Sequence, residues 1–318
     1  RDIRQHSEPL FTALARGITE QGADVIDIGY ASTPMSYFAN GTLGADASVM
    51  ITASHNTAEW NGFKLCRAQA VPVSGATGIM EIEAIALSGK FAQRPETPGR
   101  VLSYDIAPEY ARHVASFARL QRPVRAAIDF ANGMGIWEAR ALGGGLEWDS
   151  LFGDPDGSFP NHEANPLHHA TLRDLQEKVR GGAYDFGVAF DGDADRAGFV
   201  DERGEIIPMD LVTALVAQDV LAARKGVVLY DLRSSRVVRE VVEAAGGRAL
   251  MSRVGHAFIK QQMREHGALF AGELSGHYYF KDNFTAESSA MAVLALANIV
   301  SSAEKPLSEL IAPLRKYS

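Results

Sequence analysis

The chain has 318 residues, 46% of them hydrophobic, and sets 31 Lys and Arg against 39 Asp and Glu for a formal charge of −8. That length predicts two or three domains with real cores, while the acidic balance excludes a general nucleic-acid surface, which needs clustered Lys and Arg. No apolar run of about 18 residues and no basic, apolar leader is present, which argues against membrane spans and secretion, and a lone Cys66 rules out an intrachain disulfide and makes cytoplasm the default compartment.

In chain order, apolar spacing predicts a helix over residues 8–21, strands over 24–30 and 47–53, a helix over 78–87 and a breaker cluster at Pro95-Glu96-Thr97-Pro98-Gly99. A helix over 108–120, a strand over 125–130, a helix over 171–180 and a strand over 186–191 follow, up to Pro208. Beyond it come a helix over 210–224, a strand over 226–231, a helix over 234–245, a strand over 248–251, a helix over 286–301 and a helix-like stretch from Leu307 to Leu314. Alternating strands and amphipathic stretches predict an α/β fold with parallel or mixed sheets, divided by its breakers into 1–100, 101–208 and 209–318. The first residue is Arg, and the chain stops soon after its last helix-like stretch, so it reads as a fragment.

Each third carries a polar or glycine-rich loop after an apolar run: Thr52-Ala53-Ser54-His55-Asn56, Asp191-Gly192-Asp193-Ala194-Asp195-Arg196 and Gly272-Glu273-Leu274-Ser275-Gly276-His277. Ligands of open α/β sheets sit at the carboxyl ends of strands, so the three loops are expected to converge. Three carboxylates at alternate positions can turn toward one hard cation, and magnesium takes oxygen ligands that often include a phosphate oxygen. A phosphorylated Ser54 would complete such a shell. An EF-hand needs Gly at the sixth loop position, where this chain has Arg196; a solvated acidic turn would leave three carboxylates repelling one another. Ser54 and His55 are adjacent and lack a Gly-x-Ser-x-Gly elbow, which speaks against a hydrolase nucleophile. Lys64, in Asn61-Gly62-Phe63-Lys64, is either a surface charge on a strand or a proton donor beside the anions. Glu273 and Ser275 face the same way in an extended loop and either read adjacent sugar hydroxyls or cap a turn.

The three loops, in this order, resemble the α-D-phosphohexomutase superfamily, and among its members the bacterial phosphomannomutase/phosphoglucomutase group. Asn132-Gly133-Met134-Gly135 and Pro160-Asn161-His162-Glu163-Ala164-Asn165-Pro166 fit as well, so the resemblance covers nearly the whole chain. It implies three consecutive, similar α/β domains with mixed sheets around a central cleft, without the family's opening strand and its fourth, phosphate-clamping domain. Carried over by position, Ser54 would be phosphorylated and, with Asp191, Asp193 and Asp195, would bind Mg2+. Lys64, Arg196 and His277 would stand beside the reacting groups. Glu273, Ser275, His55, Arg233 and His256 would face the substrate, and Arg4, in Arg1-Asp2-Ile3-Arg4, would border the site. Thr57 stands where the family usually has Pro, and Arg233 where related mutases often have Lys.

The implied activity is a reversible shift of phosphate between O1 and O6 of glucose or mannose phosphate, with glucose or mannose 1,6-bisphosphate as activator. If Glu273 and Ser275 hold O3 and O4, both epimers should fit; Leu274, where the glucosamine-phosphate branch has Gln, argues against an amino sugar. The alternatives are a magnesium-dependent sugar-phosphate phosphatase and a noncatalytic sugar-phosphate-binding module. The expected partner is a small sugar phosphate, with no nucleic acid and no membrane; oligomeric state is left open.

Overall fold

A computed structural model describes residues 1–317. The first unit runs α1 (Ser7–Glu20), β1 (Val25–Asp27), α2 (Thr33–Thr42), β2 (Ala47–Ile51), β3 (Phe63–Arg67), β4 (Val71–Pro72), α3 (Ile79–Ser88) and β5 (Val101–Ser103). The second runs α4 (Ala107–Ala115), β6 (Val124–Asp129), α5 (Gly135–Arg140), β7 (Leu146–Leu151), α6 (Arg173–Arg180), β8 (Phe186–Phe190), β9 (Ala197–Asp201) and β10 (Ile206–Ile207). The third comprises α7 (Met209–Ala223), β11 (Val227–Asp231), α8 (Arg236–Ala244), β12 (Arg248–Ser252), α9 (His256–His266), β13 (Phe270–Gly272), β14 (Tyr278–Phe280), β15 (Ala286–Glu287), α10 (Ser289–Ser302) and α11 (Leu307–Ile311).

The second and third units repeat one sheet. Their orders, β7-β6-β8-β9-β10 and β12-β11-β13-β14-β15, have three parallel strands followed by two antiparallel ones. In the first unit β2, β3 and β4 form an antiparallel run, and β1 pairs with β5. Each of the three polar loops therefore joins a strand to its antiparallel neighbour: β2 to β3, β8 to β9 and β13 to β14. The closing pairs are Ile51 with Phe63, Phe190 with Ala197 and Gly272 with Tyr278.

α10 is apolar all round, as a fully enclosed helix must be, and is buried along nearly its whole length. Its Asn298 accepts from Arg119 N at 2.6 Å and donates to Phe117 O at 2.9 Å. Two departures from the predicted elements have local causes. α4 ends at Ala115 rather than 120 because the following backbone turns its polar groups toward α10. α10 begins at Ser289 rather than 286 because Ala286 and Glu287 pair with β14 as a strand. α2, absent from the predicted elements, is buried from Thr33 to Asn40 and so shows no amphipathic period. Among the described residues no helix is long and apolar enough to cross a membrane, and Cys66 is buried on β3.

Candidate active site

Ser54 lies just beyond β2 in the left-handed region, φ 52°, a conformation that costs a non-glycine residue on the order of 1 kcal/mol and needs support from its surroundings. Its hydroxyl donates to Asp191 Oδ2 at 2.9 Å and lies 3.4 Å from His55 Nδ1. Arg4 supplies the support. Its Nη2 donates to Ser54 O at 2.7 Å and Asn56 O at 2.6 Å, its Nη1 to Thr57 O at 2.7 Å and Trp60 O at 3.2 Å, and its Nε to Asp2 Oδ2 at 3.1 Å. All five N–H groups of a guanidinium are thereby spent. Arg4 thus borders the site by bracing the serine loop from inside the protein, with no donor left over for a ligand. Gly192 permits the close approach of the aspartate loop, since a Cβ there would lie 2.4 Å from Ser54 O.

Asp191, Asp193 and Asp195 are buried, and each can offer one carboxylate oxygen within 4.8 Å of the others. Lys64, delivered by β3, donates to Asp193 Oδ2 at 2.6 Å and Asp195 Oδ2 at 2.5 Å. Burial opposes charge on that ammonium, but the carboxylates of Asp193, Asp195 and Asp191 outweigh it and hold the lysine above its usual pKa. Burial, with Asp193 and Asp195 adding to it, pushes Asp191 well above the ordinary carboxylate range. Burial also acts upward on Asp195, but Lys64 and His277 overcome it and keep that carboxyl well below the range. Asp193 Oδ1 is buried without a hydrogen-bond partner among the described residues, and Asp195 Oδ1, also buried, has only the His277 ring at 3.2 Å. Crowded acids with an unpartnered oxygen fit a hard divalent cation, whose ligands are oxygens.

Arg196 brings the third loop in. Its Nε donates to His277 Nε2 at 3.3 Å and stands 3.8 Å from both Asp191 Oδ2 and Asp195 Oδ1. His277 Nε2 is 3.2 Å from Asp195 Oδ1, and its Nδ1 is 2.9 Å from Ser275 Oγ. Glu273 accepts from Tyr279 Oη at 2.5 Å and from Gly255 N at 3.1 Å. It is buried, whereas Ser275 is half-buried at the loop surface. Ala197 N donates to Gly276 O at 3.0 Å, which ties the two equivalent loops together.

The remaining expected residues surround this centre. His256 opens α9 directly after Gly255, and burial with Lys260 nearby lowers its pKa to about 4, so its ring is neutral near pH 7. Burial, then Arg196, lowers the pKa of His55. Arg233 is half-exposed and pairs with Asp231, whose Oδ2 also accepts from Leu274 N at 3.0 Å, so it flanks the third loop rather than touching the aspartates. Two residues that sequence reasoning missed hold the aspartate loop. Thr33 donates through Oγ1 to Asp193 Oδ2 at 2.6 Å and through its amide to Asp193 O at 3.0 Å, and Ser289 Oγ donates to Ala194 O at 2.6 Å. The available signal was Ser32-Thr33-Pro34, a helix-start pattern.

The chain matches three family descriptions in sequence: phosphoglucomutase/phosphomannomutase alpha/beta/alpha domain I over residues 1–93, domain II over 108–204 and domain III over 208–317. It is 37% identical over 321 residues to the phosphomannomutase of Escherichia coli strain K12, covering 98% of this chain and 70% of that one. To a phosphoglucomutase of Neisseria meningitidis serogroup A it is 39% identical over 310 residues, covering 96% and 67%. A crystal structure of a phosphoglucomutase/phosphomannomutase family protein from Burkholderia thailandensis superposes with a TM-score of 0.93 at 33% identity, covering all of this chain and 71% of the other.

Proposed function

Because the chain belongs to the phosphoglucomutase/phosphomannomutase family, we propose that it is an intramolecular phosphotransferase. It interconverts hexose 1-phosphate and hexose 6-phosphate, of glucose, mannose or both, through phosphorylated Ser54 and a 1,6-bisphosphate. The observation that carries this reading is the Ser54 hydroxyl held 2.9 Å from Asp191 at the edge of a buried acidic triad. A cation held by Asp191, Asp193 and Asp195, with Mg2+ the proposed ion, would neutralise charge on the transferred phosphoryl group.

The side chains divide the remaining work. In the forward step the bond between phosphorus and Ser54 Oγ breaks as a bond from phosphorus to the sugar oxygen forms. Lys64, kept protonated by its carboxylate neighbours, is suited to give a proton to the departing Ser54 oxygen. His277, placed between Ser275 and Arg196, is suited to accept the proton of the attacking hydroxyl. Arg196 presents a fixed positive charge to the phosphoryl oxygens, the kind of preorganised stabilisation on which phosphoryl transfer depends. Ser275 and Glu273 are assigned to sugar hydroxyls, and His55, His256 and Arg233 to the walls of the substrate site.

Peptide mass spectrometry after incubation with Mg2+ and glucose 1,6-bisphosphate tests the reading. One phosphoryl group on Ser54, absent from the Ser54→Ala variant, is expected; an unmodified Ser54 in the parent chain would overturn it.

A further inference from the structure

Glu138 lies inside α5 with no measurable exposure, and its partners are all uncharged. Burying a carboxylate without a cation is costly unless several donors meet it, so their identity is informative. Ser32, which begins α2 by accepting from Met35 N at 3.2 Å, donates its hydroxyl proton to Glu138 Oε1. Ala290 N, in the first turn of α10, donates to Glu138 Oε2 at 3.3 Å. The Tyr110 hydroxyl lies between the two oxygens at 3.0 and 2.8 Å. Two helix N-termini from the first and third units thus converge on one carboxyl of the second, where their dipoles favour negative charge.

The same two N-termini also reach the aspartate loop. Thr33, next to Ser32, holds Asp193 through two bonds, and Ser289, next to Ala290, holds Ala194 O. Ala194 sits at φ 60°, so the loop's turn depends on outside support at this point. We infer that Glu138 is a positioning residue for the metal loop, setting the angle of Asp193 by pinning the N-termini of α2 and α10 to one another. A carboxyl serving only to fill the core would have no reason to share its donors between these two helices. The inference rests on the metal reading proposed above.

The test is Mn2+ titration of the metal-free protein, with free Mn2+ followed by electron paramagnetic resonance, for the parent chain and Glu138→Gln, Ser32→Ala and Tyr110→Phe. Outer-shell partners of metal ligands typically affect affinity by about 10- to 100-fold. Glu138→Gln, whose amide cannot accept at both positions, is therefore expected to raise the Mn2+ dissociation constant about tenfold or more. Ser32→Ala, which cuts one arm and keeps the carboxyl, should raise it several-fold and serves if Glu138→Gln does not fold. Tyr110→Phe removes a donor from the same carboxyl but keeps the ring against Phe38 of α2 and cuts neither the Ser32 nor the Ala290 bond to Glu138, and should leave the constant within about twofold of the parent, well short of an outer-shell effect. Parent-like binding in both Glu138→Gln and Ser32→Ala, or an equal loss in all three variants, overturns the inference. Absence of Mn2+ binding by the parent chain would overturn the metal reading itself, and this inference with it.

Discussion

Two buried charge clusters stand between the units, and they are built on opposite plans. Lys260 Nζ meets Glu287 Oε2 at 2.6 Å, both residues being buried, with the ammonium 3.6 Å from the centre of the Tyr37 ring. One charge answers one charge, and although burial acts against it, the Lys260 ammonium keeps Glu287 below its usual pKa. The aspartate loop instead packs three carboxylates against Lys64 and a more distant Arg196, so negative groups outnumber positive ones. The balanced cluster joins α9 and β15 to α2 with its single negative charge matched by a single positive one. The unbalanced one is paid for by the rest of the fold and is satisfied only by something added. Proteins hold such strain where it has a use.

The contrast fails if the aspartates turn out to stabilise the protein. Asp191→Asn keeps an acceptor for Arg196 N and a partner for Ser54 Oγ while removing one repelling charge. Metal-free protein carrying it is expected to melt no lower than the parent, and isomerase turnover to fall by at least about a thousandfold, since a catalytic metal typically supplies several kcal/mol of transition-state stabilisation. A lower melting temperature, read by calorimetry, would break the comparison. Lys260→Met should do the reverse. Leaving a buried carboxylate alone costs about 3 kcal/mol or more, measured by urea denaturation, with Mn2+ affinity of the folded protein unchanged. The double variant Lys260→Met, Glu287→Leu should recover most of that loss, because an apolar pair often substitutes for a buried ion pair.

How far the sequence discloses these clusters follows from their spacing. The aspartates alternate within one loop directly after an apolar run, and Ser54 and Glu273 each follow a strand end, so all three loops are visible as local patterns. Lys260 and Glu287 are 27 positions apart and meet only because α9 and β15 pack together. Thr33 and Ser289 lie 160 and 95 positions from the atoms they hold, and nothing local marks either as a partner of the aspartates. Arg4 shows the same limit from the other side. Its place near the serine loop is readable from chain distance, but the number of carbonyls that would consume its donors is a property of the folded loop. α2 escapes periodicity because every side of its first two turns is covered.

Glu138 sharpens the comparison further, being a buried acid with neither a neutralising lysine nor a metal. Burial raises its pKa to about 7 in the folded chain, against the hydrogen bonds from Ser32 and Tyr110 that act in the opposite direction. A folded pKa raised above the unfolded value means that the native state holds its proton more tightly. The resulting stability is complete below the unfolded pKa and is lost as pH climbs toward 7. Between pH 5 and pH 7 the parent should therefore lose about 2 kcal/mol relative to Glu138→Gln, whose amide does not titrate. Paired urea denaturations at the two pH values measure that difference. A difference that stays flat with pH would mean that the helix N-termini around this carboxyl stabilise its charged form enough to offset burial, and Glu138 would then belong with Glu287 among the buried acids whose charge is matched within the fold.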